Sequence, residues 1–142
     1  MLKQGFISKI IEQIVQSIAR MLTMDHEKEA EKFLHDFDET LQTYYKTKIQ
    51  DLESLTQIDP EKDVFLLDDK LRNMQLHLFG KAAWVFYHQD EMESAKTCLK
   101  IIERIQAEES AVFEFPSQKM LETQAWIDDL HSKLAQNSTT NH

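Results

Sequence analysis

From Phe79 to Ile102 the hydrophobic positions fall into two helical sets. Phe79, Ala82, Ala83 and Phe86 form the first, and Met92, Ala95, Leu99 and Ile102 the second. The polar run His88-Gln89-Asp90-Glu91 separates them. Apolar residues recurring at three- and four-residue intervals line one face of a helix. The pattern therefore predicts two amphipathic helices in tandem, with alanines where their axes approach.

The same periodicity covers most of the chain. Ile7, Ile10, Ile11, Ile14, Ile18, Met21 and Leu22 predict a helix over 6–22, widened by Phe6 and Val15. Asp25 is a natural N-cap for a second helix over 26–45, where Ala30, Phe33, Leu34, Phe37, Leu41 and Tyr44 form the apolar side. Ile49, Leu52 and Leu55 mark a short helix within 46–58. Asp59-Pro60 starts the next, since proline fits the first helical position. A helical pattern then runs to Tyr87 as one helix, or as two broken near Asp68-Asp69. Asp90 to Glu93 has the spacing of a capping box before a helix over 91–108. Ser110 to Pro116 reads as a loop whose Val112, Phe113 and Phe115 should tuck against the body. A last helix over 117–135 carries Met120, Ile127, Leu130 and Leu134, and 136–142 reads as a disordered tail.

Composition agrees. The 142 residues contain 2 glycines and 2 prolines, too few for the turns of a sheet protein. The expectation is one all-α domain over residues 1–135, with five to six helices in antiparallel hairpins. Cys98 is the only cysteine, so no internal disulfide exists and a reducing cytoplasm is the expected location. No apolar run reaches the ~18 residues of a spanning helix. The net charge of −9 argues against nucleic acid as a partner. Charge is uneven, however: Lys3, Lys9 and Arg20 stand against Glu12 alone in the first 24 residues.

Reactive groupings are sparse. His35, Asp38 and Glu39 share one helix turn, but metal binding needs three or four converging ligands, and a solvated charged face is the simpler reading. Cys98 within an apolar helix reads as a buried structural thiol rather than a nucleophile. No catalytic residue, metal ligand or cofactor is expected. Trp84, Tyr87 and Trp126 are candidates for a partner-binding surface. The first helix has three open readings: burial in the core, a dimer interface through Ile7, Ile11, Ile14 and Ile18, or association with an anionic membrane, which the acidic body opposes.

The 79–102 pattern resembles a tetratricopeptide repeat. Ala95 occupies the small position of the repeat's second helix, Ala83 stands where the first helix usually has glycine, and Ala107 replaces the closing proline. A fainter copy aligns on Ala30, with Ile14, Ile18 and Met21 before it and Leu34 and Phe37 after. That resemblance implies right-handed packing of helical hairpins. The whole chain also resembles a small all-helical bacterial family of unknown function. Gly5-Phe6-Ile7, Ile10-Ile11-Glu12-Gln13-Ile14-Val15 and Ile18-Ala19-Arg20 carry the likeness. It implies a bacterial cytoplasm and no assigned activity. The expected function is a non-enzymatic scaffold for a protein or peptide, possible as a homodimer. The alternatives are an enzyme with a small-molecule or metal site between helices, and peripheral membrane association through the first helix.

Overall fold

The computed structural model describes residues 2–109 and 118–140, and these are all-helical with no strand. The elements are α1 (Leu2–Leu22), α2 (Ala30–Tyr44), a 3-10 segment (Ile49–Thr56), α3 (Pro60–Leu66), α4 (Arg72–His88), α5 (Met92–Glu109) and α6 (Gln118–Thr140). The total exceeds the expected five to six helices because the 60–87 pattern is split. Asp68 accepts the Lys70 N–H at 2.8 Å, folding the chain into a side-chain-closed turn that ends the helix. The run Val112–Phe115 and the Trp126 side chain lie outside the described residues. With no glycine or proline after Pro116, α6 runs on to Thr140, past residue 135.

α4 is the centre of the packing. Gln75, Leu76, Leu78 to Ala83, Val85 and Phe86 are all buried, which covers most of the helix rather than one stripe and leaves the face of His77, Trp84 and His88 partly open. Such a helix must be surrounded. α5 packs along it most extensively, α1 and α6 take two further sides, and α2 adds Phe37. Ala82, Ala83 and Ala95 are fully buried, and their small side chains let α4 and α5 approach closely. The Phe37 ring meets Phe79 edge-on at 5.7 Å and Phe86 at 6.4 Å. Ile11, Ile14, Ile18 and Met21 of α1 enter this core.

Polar side chains inside the core close specific backbone gaps. Lys81 of α4 is buried, and its Nζ donates to the Met21 carbonyl at 2.9 Å and to the Met24 carbonyl. It also lies 5.2 Å from the centroid of the Phe33 ring. The last carbonyls of a helix have no partner within the helix, so a lysine there supplies both donors and a favourable charge. Burial lowers the Lys81 pKa, opposed by the charges of Glu29 and Asp25. Gln75 works similarly across the α3–α4 break: its Nε2 donates to the Leu66 carbonyl at 2.9 Å, and its Oε1 accepts from the buried Tyr45 hydroxyl. Arg104 of α5 grips Asp63 of α3 through two bonds of 2.8 and 2.6 Å, and reaches the Leu55 carbonyl at 3.1 Å. Hydrogen bonding to Arg104 holds the Asp63 carboxyl below the usual range.

Two helix ends differ from their predicted chemistry. Asp25 accepts the Glu27 and Lys28 N–H groups at 2.8 Å each, but it closes a turn ahead of α2, which begins at Ala30. Asp90 is not the acceptor of a capping box. It adopts φ 61° and ends α4 instead. Its N–H donates to the Tyr87 carbonyl and that of Glu91 to the Phe86 carbonyl, the pair of bonds that closes a helix through a left-handed residue. The tight reversal into α5 requires this stop, which outweighs the cap.

Three outcomes are expected. Asp63→Asn lowers stability at neutral pH by about 2–3 kcal/mol, because a half-buried Arg104 loses its charge partner. The folded pKa of Asp63 lies below its unfolded value of about 3.9, so the contribution is present above that value and is lost as pH falls through the folded pKa. Urea titrations should therefore show the gap between wild type and variant closing in acid; a gap constant down to the lowest pH contradicts the assignment. Lys81→Met should cost about 1–3 kcal/mol and raise amide exchange at the C-terminal end of α1. Asp90→Gly should raise the melting temperature, since a non-glycine residue in the left-handed region costs about 1 kcal/mol.

Candidate functional site

Each predicted candidate has a definite position except Trp126, whose side chain lies outside the described residues. Ile11, Ile14 and Ile18 are buried within the chain's own core, so of the three readings of α1 core burial describes these positions, and they present no surface to a second copy. Ile7, the fourth residue of that set, is only half-buried. No helix among the described residues is long and apolar enough to cross a membrane.

Trp84 is half-buried and surrounded from within the chain. Lys133 of α6 places its Nζ 4.3 Å from the ring centroid, and the His88 ring lies at 4.5 Å and that of His26 at 6.2 Å. Asp129 holds Lys133 at 3.2 Å. This cation–π contact joins α6 to α4, so packing within the chain accounts for the indole. Tyr87 is half-buried, with its ring 5.3 Å from that of His88.

The predicted His35–Asp38–Glu39 grouping is rearranged. Asp38 faces the 3-10 segment, where its two oxygens accept the Ile49 N–H at 2.9 Å and the Gln42 amide at 2.8 Å. Asp36 takes its place beside His35 and Glu39, with one ligand atom from each within 4.8 Å of the others. His35 and Glu39 are strongly exposed and lie 3.8 Å apart, while Asp36 is largely covered and pairs with Arg20 at 3.6 Å. Cys98 is fully buried, and burial pushes its thiol pKa up. A protonated, inaccessible thiol is not a nucleophile.

The remaining feature is an open groove that the residue pattern did not single out. It has a volume of about 530 Å³ and lies between the N-terminal half of α1, the end of α2 and α3. Phe6, Ile7 and Ile10 form one wall, and Tyr44 and Phe65 the other. Phe6 is 64% exposed, although it is the largest side chain on its stretch of α1. At one end the Tyr44 hydroxyl donates to Gln13 Oε1 at 3.5 Å. The charged residues of the lining are Lys9 and Lys46. Lys46 is set by the backbone: it takes φ 52°, which lets the Thr47 N–H return to the Leu41 carbonyl. The sequence signal was the breadth of the α1 stripe, since Phe6 widens it beyond what one neighbouring helix covers. A second cleft, of about 320 Å³, lies between α5 and α6 and is lined mainly by Lys96, Lys100, Glu103, His131 and Leu134.

Compared with known protein families, curated proteins and solved structures, the chain matches none.

Proposed function

We propose that this chain is a non-enzymatic binding module, a scaffold that takes a segment of another protein into the groove between α1, α2 and α3. The exposed Phe6 at the mouth of that apolar groove carries the reading. Aromatic side chains beside a concave apolar surface are what protein interfaces use as anchors. Trp84, one of the expected anchors, is occupied by Lys133. The buried Cys98 offers no support for a thiol-based enzymatic alternative.

The reading includes tetratricopeptide-like stacking of the α1–α2 and α4–α5 hairpins and a bacterial cytoplasmic setting. The packed helix pairs and the buried Ala82, Ala83 and Ala95 support the stacking, and the single buried cysteine suits a reducing compartment.

A pull-down from a lysate of the source organism tests the module. Wild type should retain a protein that Phe6→Ser loses, while both versions keep the same melting temperature because Phe6 is outside the core. Retention of a small metabolite instead of a protein, or retention indifferent to Phe6, overturns the reading.

A further inference from the structure

We infer that the groove's partner is an acidic amphipathic helix, one with a narrow apolar face flanked by carboxylates. This rests on the binding-module reading and adds the chemistry of the partner. The chain carries 25 acidic residues against 16 basic ones, yet both charged residues lining the groove are lysines. Lys9 and Lys46 are exposed, and neither has an ion-pair partner among the described residues. An apolar floor edged by cations of the sign opposite to the whole molecule is complementary to an anionic amphipathic ligand.

Helix geometry sets the size of the occupant. The α1 wall runs from Phe6 to Gln13, about 10 Å at the rise of an α-helix. That length accepts about two turns, with anchors at helical spacing entering beside Phe6, Ile7 and Ile10.

A second copy is a poor occupant. A two-fold contact through the groove would set the lysines of one copy against those of the other, and the deeper isoleucines of α1 are already in the core. An anionic membrane is attracted by these two lysines alone and meets repulsion from a chain of net charge −9.

The test uses two fluorescein-labelled synthetic helices with one leucine face, flanked by glutamates in one and by lysines in the other. In fluorescence anisotropy with the full chain, the glutamate peptide should bind at least about tenfold more tightly, and less tightly as salt rises. The double substitution Lys9→Glu and Lys46→Glu lies on exposed positions. It should weaken the glutamate peptide by about tenfold or more and favour the lysine peptide. Phe6→Ser should weaken both. If the peptides bind equally, or charge reversal changes nothing, the acidic-partner inference falls, while the groove stands provided Phe6→Ser still weakens binding. If neither peptide binds, the inference falls, and the groove is then judged by the pull-down alone. Co-sedimentation with phosphatidylglycerol vesicles, or a dimer that Phe6→Ser dissociates, overturns the acidic helix in favour of that occupant.

Discussion

A helix buried over most of its circumference dictates the arrangement of its neighbours. In its middle turns α4 leaves only His77 and Trp84 partly exposed, so it depends on α1, α2, α5 and α6 to enclose the rest. The apolar area removed from water there cannot be provided by one hairpin. That requirement draws the C-terminal half of α1 inward, because Ile14, Ile18 and Met21 are the covering residues on one side.

Polar groups make the enclosure specific. Among the described residues every buried side-chain nitrogen and oxygen has a hydrogen-bond partner. Lys81 and Arg104 each join two elements far apart in sequence by reaching a main-chain carbonyl, and Gln75 does the same between the consecutive α3 and α4. Each would leave unpaired polar groups if a helix shifted by a turn. Apolar packing supplies the drive to collapse, and these three residues select one register.

The groove follows from helix lengths. α1 spans 21 residues and its neighbour α2 spans 15, a difference of about 9 Å. The part of α1 that seals the core is its C-terminal half. The N-terminal turns overhang, where among the described residues the end of α2 and the short α3 line the groove beside them. Ile7 and Ile10 are half-covered and Phe6 is left in solvent. The first helix thus serves the core with one half and presents a surface with the other.

Periodicity alone determined that the chain is helical, where most helices lie, and which residues face inward. Ala82, Ala83, Ala95, Leu99 and Ile102 are buried as their spacing required, because a local stripe needs covering whatever covers it. Proline and Asp59 marked the start of α3 for an equally local reason, with the Asp59 side chain accepting the Glu61 and Lys62 N–H groups. Only the tertiary structure decided that Asp90 ends a helix rather than beginning one, that Asp38 braces the 3-10 segment, and that Lys81 is buried. It also decided that Lys133 covers Trp84 and that Phe6 stays open. Asp90 depends on the reversal into α5, and each of the others on a partner 10 to 60 residues away or on the reach of a neighbouring helix, and no pattern of spacing within one segment encodes such a distance.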